Sequence, residues 1–250
     1  MDLQNACAIA VMAKAPRAGR AKTRLCPPLR PDQAAQLSAA FLRDITENIA
    51  LAARAAPIHS YIAYAPAGEE PAFDGHLADR TALVLADGSP PMPPGVSGFG
   101  RSLLHAAQAL FARGYGAVCL VNSDSPTLPT SLLLKAASEL LAPGERVVLG
   151  PAHDGGYYLI GMNQPHAYLF ADIAWSTDSV AAATHARATA LQLDVVTLPT
   201  WFDVDDMGSL ARLLVEAKGH PNGLQPYAAP ATMAWIDQSL LVEDRSIAAQ

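Results

Sequence analysis

Four short stretches of this 250-residue sequence collect the side chains that do chemistry. The first, VMAKAPRAGRAKTRL at residues 11–25, places Lys14, Arg17, Arg20, Lys22 and Arg24 around Gly19. Guanidinium and ammonium groups are charge-assisted donors matched to phosphate oxygens, and a glycine lets backbone come close to a ligand. The stretch is not a Walker A loop, because Ala21 precedes Lys22 and Pro16 falls on the first-glycine position, and it contains no GxGxxG. A solvated basic loop is the plain alternative. It follows an apolar strand, however, and loops at the carboxyl ends of strands are where open α/β sheets bind ligands.

The second stretch, CLVNSDSPTLP, ends a strand in Asn122, Ser123 and Asp124. The third, WFDVDDMGSLARLL, sets Asp203, Asp205 and Asp206 before a helix. Two or three carboxylates converging from separate loops can hold Mg²⁺ or Mn²⁺ while leaving positions open for substrate phosphates. Asp124, Asp205 and Asp203 are therefore candidate metal ligands, and Asp206 suits a helix cap. Asp124 alone could merely cap the helix expected near Thr130, a reading that loses weight beside the carboxylates of the third stretch. The fourth stretch, GPAHDGGYYLIGM, sets Asp154, Gly155 and Gly156 between two β-like runs. Asp-Gly and Gly-Gly suit a hairpin turn; alternatively, bare backbone admits an acceptor or sugar, with Asp154 as its base and His153 beside it as another. In IAWSTDSV, Ser176 or Thr177 suits the N-cap of a helix over 178–190, and Trp175 is a candidate acceptor contact.

Positioning these groups requires a sheet with crossover helices. CAIAVMA (7–13) is apolar without alternation, as in a strand covered on both faces. A helix over 31–54 aligns Leu37, Ala40, Phe41, Ile45 and Ile49, with Pro31 in its first turn. Strands follow at IHSYIAY, ALVLA, GAVCLVN and RVVLG, alternating with helices at GRSLLHAAQALFARG and PTSLLLKAASELL. Residues 87–100, DGSPPMPPGVSGFG, read as a long loop of the kind that forms lids. The domain is expected to span 1–220. A Gly/Pro-rich tail over 221–250, with a short apolar piece at Trp235, would pack on it or mediate self-association.

Composition limits the partners. With 51% apolar residues and 250 positions the chain can bury a large core. Its 17 basic against 23 acidic side chains give a net charge of −6, the wrong sign for a broad nucleic-acid grip. Cys7, Cys26 and Cys119 lack disulfide or metal spacing, which fits a reducing compartment. The run at 6–13 is too short to span a membrane or serve as a signal peptide, so no membrane partner and a cytoplasmic location are expected.

In order, KAPRAGRAKTRL, NSDSPTLP, DGGYYLIG, WST and FDVDD resemble the bacterial family labelled radical-SAM/selenodomain-associated transferase 1, also called domain of unknown function 2064, over residues 8–214. That family is similar to nucleotide-diphospho-sugar transferases of the glycosyltransferase-A fold, and AKTRL also resembles 2-phospholactate guanylyltransferases. Where many members carry Asp-Leu-Gly-Glu-Arg, this chain reads GFGRSLLHAA. The resemblance implies one α/β/α sandwich with a mixed, mostly parallel sheet. It implies a nucleotide at Ala13, Lys14, Pro16, Gly19, Lys22, Thr23 and Arg24 with Ser123 and Asp124. A divalent metal would sit at Asp124 and Asp205, and an acceptor or sugar by Asp154, Gly155, Gly156 and Trp175. Lys22, Arg24 and Asp154 become the expected catalytic groups. The function expected first is glycosyl transfer from a nucleotide-diphospho-sugar to a small acceptor. Nucleotidyl transfer with pyrophosphate release and non-catalytic nucleotide binding are the alternatives.

Overall fold

The computed structural model describes residues 2–216 and 223–247. Among them, seven strands form one sheet in the order β3-β2-β1-β4-β6-β5-β7. They are β1 (Cys7–Lys14), β2 (Ile58–Ala65), β3 (Ala82–Leu85), β4 (Ala117–Asn122), β5 (Arg146–Pro151), β6 (Tyr157–Met162) and β7 (Asp194–Thr197). Of these, β6 alone runs antiparallel to its neighbours, β4 and β5. The mixed, mostly parallel sheet implied by the family resemblance is what the chain forms.

β1 lies in the interior of the sheet, paired with β2 on one side and β4 on the other. Its alternate side chains enter two separate cores, which is why the sequence shows no polar alternation. Cys7, Ile9 and Val11 pack with Leu37, Phe41 and Ile45 of α1 (Pro31–Ala52) and with Leu133 and Leu140 of α3 (Thr130–Leu141). On the other face Ala6, Ala8 and Ala10 meet Leu103, Ala107 and Leu110 of α2 (Phe99–Phe111), a core shared with Ala188 of α4 (Val180–Ala190). α5 (Met207–Glu216) and α6 (Pro230–Ile247) join the α1 side through Leu210, Leu213 and Ile236. Two helical layers thus enclose the sheet.

Several elements differ from the sequence reading. β7 adds a strand that the sequence pattern does not signal, because DVVT at 194–197 is a four-residue edge strand without an apolar run. The piece around Trp235 is part of an 18-residue helix, α6. Its start is fixed by Asp44 of α1, whose two carboxylate oxygens accept the amides of Ala231 (2.9 Å) and Thr232 (2.7 Å). Asp44 has no solvent exposure, and burial pushes its carboxyl above the ordinary range. The expected domain boundary at 220 lies outside the described residues. The helix after Trp175 starts at Val180, not 178, and its N-cap residue is Ser179 instead of Ser176 or Thr177. Ser176 is left-handed (φ +64°), and the Thr177 hydroxyl is spent on the Ala174 carbonyl at 2.7 Å. Asp206 does cap α5, accepting the Ser209 amide at 2.8 Å. Asp124 does not cap α3, since the residue before that helix is Pro129.

Candidate active site

The strand order reverses at β1, since the chain lays β2 and β3 on one side of it and β4 on the other. Ligands of open α/β sheets bind beyond the carboxyl ends of the strands at such a switch point. A cleft of about 490 Å³ lies there. Its walls include Ala13, Lys14, Lys22, Thr23 and Arg24 from the end of β1 and the following loop, and Ser123, Asp124 and Asp205 from two other loops.

Two hydrogen bonds bring the distant carboxylates together. The Val204 amide donates to the Asp124 carbonyl (2.8 Å), and the Ser125 hydroxyl donates to the Phe202 carbonyl (2.8 Å). NSDSP and FDVDD are thereby stitched side by side. Lys22 enters between them from the basic loop. Its ammonium lies 2.5 Å from Asp124 Oδ1, 3.1 Å from Asp205 Oδ1 and 2.5 Å from the Val204 carbonyl. The Lys22 side chain is only 6% exposed and also lies 5.2 Å from the Phe41 ring centroid. The loop reaches this position because Leu25, fully buried, anchors its far end in the α1 core.

The remaining cations of the loop divide. Arg17 and Arg20 both pair with Glu69, between β2 and β3, and neither Arg17 nor Gly19 nor Pro16 lines the cleft. Arg24 is 76% exposed and stands 3.8 Å from Asp205. Arg20 and Arg24 both line the cleft, and Arg24 is the more exposed of the two.

Asp203 does not line the cleft. Burial, together with the charges of Asp205, Asp154 and Asp124, pushes its carboxyl up to about 6. Among the described residues no three His, Cys, Asp or Glu side chains are grouped so as to hold a metal ion unaided. The expected three-carboxylate set thus reduces to two carboxylates on the cleft wall. They converge with a carbonyl on a cation, and such hard oxygen donors suit Mg²⁺ or Mn²⁺.

The expected acceptor residues also stand outside the cleft lining. Asp154 turns back to accept the Gly156 amide at 2.9 Å, an Asx turn within the β5–β6 hairpin. Gly155 (φ +86°) is forced by packing, because a Cβ there would lie 2.0 Å from the Asp178 carbonyl oxygen. His153 Nε2 lies 3.1 Å from an Arg212 guanidinium nitrogen. Trp175 donates to the Ser97 carbonyl at 3.0 Å and sits edge-on to Phe99. A Cβ at Gly100 would come within 2.9 Å of its ring, which accounts for the glycines of GFG. Trp175 with Arg101, which donates to the Gly88 carbonyl at 2.6 Å, pins the 87–98 loop beside the cleft.

Tyr64, Phe99 and Ser102 are among the lining residues that escaped the sequence reading. Tyr64 lies one residue before the end of β2, and its hydroxyl donates to Glu70, a bond that with burial pushes it up to about 12. Phe99 is 48% exposed between two glycines, the one signal in the sequence that an aromatic ring is displayed there.

The profile described as "Uncharacterized protein conserved in bacteria (DUF2064)" matches residues 48–177. The chain belongs to the DUF2064 family. Among solved structures, this DUF2064 protein is similar to one from Desulfovibrio desulfuricans G20 described as a "putative nucleotide-diphospho-sugar transferase". The two share 30% identity and superpose with a TM-score of 0.75, over 93% of this chain and 97% of that one. It also shares its fold with a CMP:2-keto-3-deoxy-manno-octonic acid synthetase complexed with CTP, at 10% identity and TM-score 0.50, over 85% and 99% of the two chains. No curated protein matches this chain's sequence. No helix among its described residues is long and apolar enough to cross a membrane.

Proposed function

We propose that this protein is a metal-assisted transferase that acts on a nucleotide-activated donor. The observation that carries this reading is the convergence of Lys22, Asp124 and Asp205 at the switch-point cleft, with Arg24 exposed at its rim. Membership of DUF2064 and the likeness to the Desulfovibrio protein support the same class. Glycosyl transfer from a nucleotide-diphospho-sugar to a small acceptor is the first reading.

A nucleotide held at Ala13, Lys14, Thr23 and Ser123 would present its phosphates to Lys22 and Arg24. Either form of the reaction releases a negatively charged leaving group, and preorganised cations stabilise that charge as it develops. Asp124, Asp205 and the Val204 carbonyl would hold the divalent ion, which when bound supplies further charge neutralisation at the phosphates. Arg24 is kept near Asp205 and therefore near the same oxygens.

Nucleotidyl transfer is the second reading, and one observation favours it. Both carboxylates that line the cleft are engaged by Lys22, and Asp154, the expected base, is folded into a turn. An acceptor that is already an ionised phosphate needs no base. Incubation with Mg²⁺ or Mn²⁺, a panel of nucleotide-sugars and nucleoside triphosphates, and small hydroxyl- or phosphate-bearing acceptors distinguishes the two. Release of a nucleoside diphosphate indicates glycosyl transfer, release of pyrophosphate indicates nucleotidyl transfer, and no thermal stabilisation by any member of the panel would overturn the nucleotide assignment.

A further inference from the structure

We infer that Lys22 and a divalent cation compete for one oxygen cage, so that the metal binds only as nucleotide phosphates draw Lys22 away. This rests on the metal-assisted reading given above and adds an obligatory coupling to it. The cage is filled by the protein's own ammonium, which donates to the Val204 carbonyl (2.5 Å) and to Asp205 (3.1 Å) and is ion-paired with Asp124 at 2.5 Å. Its positive charge is thus met by two carboxylates and a carbonyl oxygen, the same donor set that a divalent ion would use.

A metal bonded to the same oxygens would stand roughly 2 to 2.6 Å from each, which is the volume Lys22 Nζ holds. Two cations so close repel strongly in a part-buried site. Lys22 must therefore leave before the metal can enter. With the side chain only 6% exposed and its charge fully paired, leaving for water alone is unfavourable. Phosphate oxygens in the cleft give the ammonium new acceptors, and Lys22 already lines that cleft.

The loop is built to allow the exchange. Lys22 sits at φ +50°, between the turn closed by the Ala21 amide on the Arg17 carbonyl and the single helical turn Thr23–Leu25. Leu25 stays buried in the α1 core, so the Lys22 side chain can turn toward the cleft without unseating the loop. Arg24 at 3.8 Å is too far from Asp205 to replace Lys22 as its close partner.

Metal and nucleotide consequently bind with positive coupling, and by linkage each raises the affinity of the other by the same factor. Free Mn²⁺ is measured by EPR during titration of the wild type and of Lys22→Met. Each is examined alone and with UDP-glucose, GDP-mannose, GTP or CTP, against controls containing nucleotide without protein. The wild type alone should bind Mn²⁺ weakly and at least about ten-fold more tightly with the nucleotide it recognises. Lys22→Met should bind Mn²⁺ about ten-fold more tightly than the wild type when both lack nucleotide, and most of the coupling should disappear.

Equal Mn²⁺ affinity of the two proteins without nucleotide overturns the exchange, as does a wild type whose Mn²⁺ affinity ignores nucleotide. If nucleotide binds and Mn²⁺ binds neither protein in any combination, the metal reading itself fails, a result distinct from the other two. Should Lys22→Met be unfolded without metal, recovery of its far-UV dichroism on adding Mn²⁺ supports the inference, and no recovery overturns it.

Discussion

Lys22, Arg24 and Asp203 occupy three electrical environments within one small region, and the two outside the cage each carry a prediction of their own. Arg24 is exposed and loosely held, so its substitution by alanine should leave stability within about 0.5 kcal/mol of the wild type. The same change should weaken nucleoside diphosphates about ten-fold or more without affecting free nucleosides, because a charge-assisted bond to phosphate is the stronger kind. Calorimetric titration with UDP and uridine, or the corresponding pair for the base preferred, checks this; equal losses would mean that Arg24 does not contact phosphate.

Asp203 gives a pH prediction for the metal-free protein. Its folded-state value near 6 lies above the ordinary 3.8, so between these values the folded form binds the extra proton. Stability from this group therefore declines as pH rises from about 4 to 6, and the ionised carboxylate remains unfavourable above that window. Asp203→Asn should stabilise the protein at pH 7 on the order of 1 kcal/mol, a figure reduced for partial solvation, and should lose that advantage below pH 4. Urea midpoints at pH 4 and pH 7 test the sign. A pH-independent difference would show that the carboxylate is not held up.

At the scale of elements, the decisive contacts join segments far apart in sequence. α6 is seated by one side chain of α1, since Asp44 accepts two amides that would otherwise be orphaned at the helix start. Asparagine has one carbonyl oxygen in place of two carboxylate oxygens, so Asp44→Asn leaves a buried amide unpaired. A loss of about 1 to 3 kcal/mol is expected. Hydrogen exchange should report earlier opening over residues 230–239, with little change in β1 and β4. Uniform loosening of the whole chain would mean that Asp44 matters to α1 itself instead.

At the scale of the whole molecule, the two cores divide the apolar side chains of β1 between them, and Trp201, fully buried, belongs to the core that also takes Ile236 of α6. The proposed single domain should therefore unfold in urea with coincident transitions by tryptophan fluorescence and far-UV dichroism. An early fluorescence phase would indicate that α6 and its Trp235 come away as a separate unit. Nucleotide binding should move the whole transition upward by mass action, about 2.7 kcal/mol at a hundred-fold excess over Kd.

The sequence by itself determined the features that local pattern controls: a strand at 7–13 covered on both faces, the amphipathic α1, the Asp206 cap, and a basic loop after the first strand. Apolar periodicity and turn chemistry act over a few residues, so they are written into the chain directly. Local pattern also left two readings open for DGG and WST, and missed β7 and α6, whose places depend on an edge pairing with β5 and on Asp44. Tertiary structure decided that Asp124 and Asp205 meet at Lys22, because the bond from Val204 to Asp124 joins residues 80 apart in number. It also decided that Arg17 and Arg20 pair with Glu69 while Arg24 faces solvent. A sequence can place five cations in one loop. Which of them is paired, and with what, depends on carboxylates delivered by other strands, and only the folded sheet brings those within bonding distance.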